Sequence, residues 1–241
     1  MRLLTNLTRM WLTRSRKPFT FTNEFDEHLP YGDCEKLGLY VHIPFCKSIC
    51  PFCPYCKRVY EEKLCEEYLQ SLLQEIRMVG KEYVDKTGKK KETTSLYFGG
   101  GTPALVAHRL KEIIEELQKY FLITEGVGVE LHPDNVTEDV LRTLKDAGVT
   151  KISIGVQSFQ EKFQKIMHRK AVDMQKMTEA LKKVPFETVS MDFIFALPTQ
   201  TFADLKEDID KAFLCGANHI AMYPFIDFTF TDSQVPTMPK K

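Results

Sequence analysis

The sequence predicts an α/β protein, a partial (β/α)6 barrel with a basic N-terminal arm, on three observations. From residue 37 onward, short apolar, β-branched or aromatic runs alternate with longer stretches of helical period. The strand starts are separated by 56, 32, 24, 37 and 31 residues, the rhythm of β–α units that lay down a parallel sheet. A closed eight-unit barrel takes about 250 residues, whereas 241 residues less the arm leave room for six units. A doubly wound sheet is the alternative arrangement of the same elements.

In chain order, residues 1–36 form the arm. Arg2, Arg9, Arg14, Arg16 and Lys17 precede the first acid, Glu24, so this stretch is basic and the remainder of the chain is net acidic. Leu3, Leu4, Leu7, Met10 and Trp11 lie at roughly helical spacing, which suits an amphipathic arm packed on the domain; the alternatives are an organellar transit segment and a membrane-surface helix. Residues 37–228 form the core domain. Its candidate strands are Leu39 to Phe45, Ser95 to Gly99, Val127 to His132, Lys151 to Val156, Thr188 to Phe195 and His219 to Phe225. The runs LGLYVHI, TSLYFGG and VSMDFIFALP are nearly continuously apolar, as expected of strands covered on both faces. Between them Leu64, Tyr68, Leu72, Ile76 and Val79 recur at helical spacing, as do Leu110, Ile113, Ile114, Leu117 and Phe121. Ser158 with Glu161 and Thr201 with Asp204 have capping-box spacing, and Thr137 can cap a helix that Gly148 ends. Residues 229–241 are a polar, Pro-containing tail.

Composition narrows the function classes. Hydrophobic residues make up 43% and charged residues 27%, which excludes a disordered or low-complexity chain. Lys and Arg balance Asp and Glu at 33 each, so no global field argues for nucleic acid as a partner. No run of 18 apolar residues exists to span a membrane. Seven Cys include four within eleven residues: Cys46, Cys50, Cys53 and Cys56. The other three are scattered through a chain long enough to be held by its own core. This disfavours a disulfide scaffold and favours a metal or cluster site in a reducing, cytoplasmic setting.

In β/α architectures the working residues sit beyond the carboxyl ends of the strands. Unusual residues collect there: the cysteine loop, Gly99-Gly100-Gly101-Thr102-Pro103, Glu130-Leu-His132-Pro133, Gln157, Asp192 and Tyr223-Pro224. One site at the barrel mouth accounts for all of them. Zinc sites usually draw ligand pairs from separated segments. Four thiols on one short loop instead favour an iron–sulfur cluster.

Preceded by Tyr40-Val-His-Ile-Pro-Phe45, the Cys-x3-Cys-x2-Cys spacing of Cys46, Cys50 and Cys53 resembles that of the radical S-adenosylmethionine (SAM) enzymes, in particular the branch of oxygen-independent coproporphyrinogen III oxidase. The likeness covers residues 38 to about 226 and includes Gly99 to Pro103, Glu130-x-x-Pro133, Gly155-Val-Gln157-Ser-Phe159, His168-Arg169 and Asp192-x-x-x-x-Leu-Pro198. The resemblance implies that Cys46, Cys50 and Cys53 hold three irons of a [4Fe-4S] cluster whose fourth iron chelates SAM. It further implies that an electron from a donor such as flavodoxin or ferredoxin cleaves SAM to a 5′-deoxyadenosyl radical. That radical would abstract hydrogen from a small organic substrate, in an oxidoreductase reaction. By the same resemblance Gly100, Gly101 and Thr102 let backbone approach the methionine moiety, and Arg169 pairs with the SAM carboxylate. Glu130 binds the ammonium or ribose, Gln157 and Asp192 bind the ribose or nearby polar groups, and Tyr40 and Phe52 flank cofactor groups. A radical methyltransferase and a haem-handling protein are alternatives within the branch. An iron–sulfur electron carrier or a zinc-binding structural domain would belong to another class.

Each assignment has a plainer counterpart. The glycine run suits a tight turn, Asp192 a buried partner, and Arg169 a solvated loop. His42 and His132 read as structural, although His132 stands where the branch often has Asp or Asn. Cys34, Cys65 and Cys215 read as free thiols, with Cys65 on a helix and Cys215 at a helix end. Cys56 is open between an accessory thiol near the substrate and a fourth ligand that would turn the site to electron transfer. The chain stops soon after the sixth strand, so the additional domain with which the oxidase covers its substrate is not expected within it.

Overall fold

All six expected strands occur, joined in one parallel sheet whose spatial order follows the chain: β1 (Leu39–Ile43), β2 (Leu96–Gly100), β3 (Val127–Leu131), β4 (Lys151–Gln157), β5 (Thr188–Phe195) and β6 (His219–Pro224). An order that never reverses is that of a barrel wall. A doubly wound sheet returns past its first strand, so that alternative is excluded. The edges are β1 and β6, which makes the wall an open, partial barrel. The computed structural model describes residues 34–228, 230–233 and 235, together with Met10. The expected arm lies outside the described residues except for Met10 and residues 34–36, and the expected tail except for 230–233 and 235.

The strands are linked by α1 (Glu62–Thr87), α2 (Ala107–Gln118), α3 (Glu138–Asp146), the short α4 (Glu161–Ile166) and α5 (Met174–Lys183), and α6 (Phe202–Leu214) leads into β6. The apolar periodicity of each helix becomes its buried stripe: Leu69, Leu72, Leu73 and Ile76 on α1, and Leu110, Ile113, Ile114 and Leu117 on α2. Right-handed crossovers carry the helices to one side of the sheet. There the buried strand residues meet them: Val41, Ile43, Leu96, Phe98, Val129, Ile152, Ile154, Met191 and Phe193. Each such side chain taken out of water contributes about 1.5–3 kcal/mol.

The opposite face corrects the expectation of strands apolar on both sides. Tyr40 and His42, Tyr97, Glu130, Lys151 and Ser153, and Ser190 and Asp192 occupy the alternate positions, many only half-buried. Tyr, Gly and Ser pass as neutral in an apolar run, which hid a polar barrel lumen inside the sequence pattern.

The helix ends follow their local chemistry with two exceptions. Thr201 and Asp204 form the full capping box, and the Thr137 hydroxyl accepts the Val140 N–H. The α3 helix closes at Gly148, whose φ of 89° suits a residue without Cβ. Ser158 caps nothing. It is fully buried, its hydroxyl donates to Asp208 Oδ2 at 2.7 Å, and α4 starts from Gln160 without a side-chain cap. Phe121 is not on α2. It opens a short strand, Phe121–Ile123, that pairs in parallel with Lys91–Thr93.

Candidate cofactor site at the barrel mouth

The cysteine loop leaves β1 and is clamped at its base. Phe45–Cys46 pairs in parallel with Arg58–Val59, and the Arg58 and Tyr60 N–H groups donate to the carbonyls of Pro44 (2.7 Å) and Cys46 (2.8 Å). Inside the loop, the Cys53 N–H donates to the Cys50 carbonyl at 3.1 Å, and the Lys57 ammonium donates to the carbonyl of Cys53. His42 ties the far end down: Nε2 lies 3.0 Å from the Cys56 carbonyl and Nδ1 3.1 Å from the Tyr40 hydroxyl. That is the structural role expected of His42. The Phe52 ring is half-buried against the cluster of Phe163, Met167, Ile194, Leu197 and Val235, so it anchors the loop to the wall. Cys46, Cys50 and Cys53 are half-buried, Cys56 is exposed, and a cavity of about 700 Å³ lies beside Cys50, Cys53 and Cys56. Burial pushes the Cys46 and Cys50 thiols up; the Thr102 hydroxyl, 3.7 Å from Cys46 Sγ, opposes this at Cys46, and the Arg169 charge opposes it at Cys50. Among the described residues, no three His, Cys, Asp or Glu side chains are gathered to hold a metal ion.

Arg169 overturns the plain reading of a solvated loop cation. It follows His168, which has a left-handed φ of 53°, and it is half-buried with its Nε out of solvent. Burial lowers the guanidinium pKa, while Cys50, Asp134, Cys53 and Cys46, in that order, pull it back up. Its Nε is buried with no hydrogen-bond partner. A buried donor left unpaired is costly, and the cost falls away once an acceptor enters.

The glycine run is used first by the fold. A Cβ on Gly101 would stand 2.6 Å from the Phe45 carbonyl oxygen, and one on Gly100, at φ 117°, 2.6 Å from the His42 ring. The Gly101 and Thr102 N–H groups donate to Ile43 and Phe45 carbonyls, each at 2.8 Å, and the Gly100 N–H donates to Glu130 Oε2 at 3.0 Å. The run thus lashes β2 to the start of the cysteine loop and brings Thr102 to Cys46.

Behind it lies a polar layer. Burial raises the Glu130 pKa, opposed chiefly by the Gly100 N–H. Asp192 is likewise raised by burial, and its two oxygens each accept from the Ser153 hydroxyl at 2.9 Å. Ser190 lies 3.4 Å from Asp192 Oδ1 and 2.9 Å from His219 Nδ1. Asp192 therefore has the buried partners that its plainer reading expects. The Tyr97 hydroxyl lies beside Ser153 and Glu130, and burial together with Glu130 and Asp192 raises its pKa. Tyr40, largely exposed, stacks on Tyr97 with ring centroids 6.5 Å apart. A lumen cavity of about 260 Å³ is lined by Tyr97, Ser153, Ser190, Asp192, His219 and Tyr223.

His132 caps the short helical turn that follows it: its Nδ1 accepts the Asp134 N–H at 3.2 Å, as an N-cap carboxylate or amide would. Burial and the nearby charge of Arg169 depress its pKa to about 4, which leaves it neutral at pH 7. Gln157 ends β4 half-buried, with a left-handed φ of 69°. Sequence reasoning missed Tyr97, Ser153, Ser190 and His219. The paired register of Ser153 with Ser190 and of Ser190 with His219 is the signal that strand alignment alone could have supplied.

The model of the radical SAM superfamily matches residues 40–212. The heme chaperone HemW of Bacillus subtilis is 33% identical over 193 residues, covering 78% of this chain and 50% of that protein. The oxygen-independent coproporphyrinogen III oxidase of Pseudomonas aeruginosa is 26% identical over 213 residues, covering 83% and 45%. The solved structure of coproporphyrinogen III oxidase HemN from Escherichia coli superposes with a TM-score of 0.70 at 26% identity, over 80% of this chain and 45% of that one. The chain thus spans about half the length of the relatives it matches. No helix among the described residues is long and apolar enough to cross a membrane. The parallel open barrel, the three-thiol loop at its mouth and the extent of the family match lead to one statement: the chain belongs to the radical SAM superfamily, whose cofactors are a [4Fe-4S] cluster and S-adenosylmethionine.

Proposed function

We propose that the chain is a radical SAM enzyme that holds a [4Fe-4S] cluster through Cys46, Cys50 and Cys53 and binds SAM across the barrel mouth. The observation that carries this reading is Arg169, a guanidinium that interacts with the charges of those cysteines and has its Nε buried and unpaired. The donor set fits the group: three thiols on one loop suit iron–sulfur ligation, and the cationic side chain beside them suits an anionic ligand such as the SAM carboxylate. Such a cluster, when bound and reduced, would supply the electron for reductive cleavage of SAM and so the means to abstract hydrogen from an organic substrate.

The chain's own residues do the positioning. Arg169 receives the carboxylate. Glu130, held by the Gly100 N–H, offers an oxygen to the ammonium or ribose. Asp192, oriented by Ser153, and Gln157 meet the ribose or nearby polar groups, and Tyr40, stacked on Tyr97, flanks a cofactor group. Thr102 steadies Cys46. Gly100 and Gly101 act by bringing that segment close, and Phe52 by holding the loop down. Cys56 is exposed whereas Cys46, Cys50 and Cys53 are half-buried, which favours an accessory thiol over a fourth ligand. A soluble donor such as flavodoxin or ferredoxin would deliver the electron, and the substrate is a small molecule of tetrapyrrole type.

The 33% identity to a heme chaperone favours a second reading, haem handling, in which the same barrel carries haem without turning it over. Anaerobic incubation of the cluster-loaded protein with reductant, SAM and either coproporphyrinogen III or haem, with products read by mass spectrometry, separates the two. Oxidase chemistry gives 5′-deoxyadenosine together with a substrate that has lost a hydrogen atom to it, a carboxyl as CO2 and one electron to an acceptor added to the assay. Haem retained unchanged through gel filtration, with no turnover of either tetrapyrrole, favours handling instead.

A further inference from the structure

Asp208 is a buried carboxylate that none of this chemistry uses. It sits within α6, is 1% exposed, and faces the turn that follows β4. Its Oδ1 accepts the Phe159 N–H at 2.8 Å and its Oδ2 the Ser158 hydroxyl at 2.7 Å. The Ser158 oxygen in turn accepts the Gln160 N–H at 3.1 Å. From the other side Gln164, also wholly buried, donates to the carbonyls of Val156 (2.9 Å) and Ser158. Two further ties bind the same segment to α6: the Gln160 amide donates to the Asp204 carbonyl at 2.9 Å, and Lys162 pairs with the Asp204 carboxylate at 2.6 Å.

These contacts converge on the neighbours of one residue. Gln157 lies between Val156 and Ser158, has a left-handed φ of 69°, and follows the point where the pairing of β4 with β5 slips register. A non-glycine residue holds that conformation only when its surroundings over-determine it. For packing alone an apolar side chain at position 208 would cost less than a buried carboxylate. Two directed bonds to a turn are what the carboxylate adds.

We propose that Asp208 is a positioning residue for Gln157: through Ser158 and the Phe159 N–H it fixes the β4–α4 turn in the left-handed form that presents the Gln157 amide at the barrel mouth. This rests on the reading that Gln157 meets the nucleoside part of SAM. Asp208 touches no ligand and acts only through the turn.

The test is calorimetric titration of S-adenosylhomocysteine, and separately of methionine, into the cluster-loaded protein as wild type, Gln157→Ala, Asp208→Ala, Asp208→Asn and the Gln157→Ala/Asp208→Ala double variant. Each Ala substitution is expected to weaken S-adenosylhomocysteine by about tenfold, with methionine unchanged because it lacks the nucleoside. The double variant should bind within about twofold of Gln157→Ala, since coupled residues do not add. Asp208→Asn keeps an acceptor for the Phe159 N–H and should fall between. Losses that add to about a hundredfold in the double variant, or a folded Asp208→Ala that binds like wild type, overturn the proposal. If Gln157→Ala itself binds like wild type, the nucleoside assignment fails and the proposal falls with it. Should Asp208→Ala not fold, Ser158→Ala removes one of the two bonds and is expected to weaken binding about threefold, again without adding to Gln157→Ala.

Discussion

The cysteine loop and the polar layer of the lumen stand on the same rim but are built in opposite ways. The loop is held at its base by a two-residue ladder, at its far end by His42 and in the middle by the Phe52 ring, while Cys50, Cys53 and Cys56 face a cavity. The polar layer is held throughout: Glu130 by the Gly100 N–H, Asp192 by both contacts to Ser153, and Ser190 by His219. Ligating groups on a loop can adjust to what they bind, whereas groups that read the shape of a small molecule work best when fixed beforehand. Between the two lies Arg169, buried like the layer yet incompletely partnered.

The largest effects should come from the loop. Replacing Cys46, Cys50 or Cys53 with Ala is expected to abolish assembly of a four-iron cluster, read as loss of iron, sulfide and the visible absorbance of the reconstituted protein. Cys56→Ala should assemble it normally. Failure of the Cys56 variant would make that residue a ligand and turn the site toward electron transfer.

Next comes Arg169. Arg169→Met should weaken SAM binding by about a hundredfold, the loss of one charge-assisted pair in a buried site. The same change should raise the melting temperature of the ligand-free protein, because it removes a donor that the fold itself leaves unpaired. A variant that binds SAM normally would return Arg169 to a structural role.

The fixed layer predicts a milder exchange of stability for binding. Burial raises the Asp192 pKa, so the favourable protonated state is fully present below the pKa of an unfolded carboxyl, about 3.9, and is lost as pH rises through the folded value. Asp192→Asn keeps the Ser153 contact and carries no such penalty. Its melting temperature should match wild type near pH 3 and exceed it by a few degrees at pH 7, while S-adenosylhomocysteine binds about tenfold more weakly. Equal melting curves at both pH values would show that the site tolerates the charge.

The smallest effect lies away from the site. Lys162 and the Thr201 cap hold the Asp204 pKa down at about 2. That contribution is present above about pH 3.9 and is lost as pH falls toward 2. Asp204→Asn should therefore be less stable than wild type at pH 6, and the gap in thermal melts should close in acid. A gap that persists at pH 2 would point to the cap geometry rather than the charge.

The parts of this molecule legible in sequence are those set by local spacing. Six apolar runs at β–α intervals gave the wall, four close cysteines gave the loop, and Asp192 stood out because a carboxylate inside an apolar run demands a reason. What escaped depends on distant partners. Ser158 has perfect capping spacing to Glu161 yet spends its hydroxyl on Asp208, fifty residues further on. The lumen face went unread because Tyr97, Ser153 and Ser190 do not interrupt an apolar pattern, and only their register across neighbouring strands makes a polar layer. For Arg169, residue type alone suited a solvated loop and only the resemblance set it at the SAM carboxylate, because nothing local records its burial or its interaction with the charges of Cys50, Cys53 and Cys46.

The measurement that bears most directly on the whole account is release of 5′-deoxyadenosine. The protein is reconstituted anaerobically with iron and sulfide, reduced with dithionite and given SAM, and the nucleoside is quantified beside Cys50→Ala and Arg169→Met. The account predicts 5′-deoxyadenosine and methionine in equal amounts from the wild type, none from Cys50→Ala and a strongly reduced yield from Arg169→Met. A wild-type cluster that is assembled and reduced yet leaves SAM intact would contradict it.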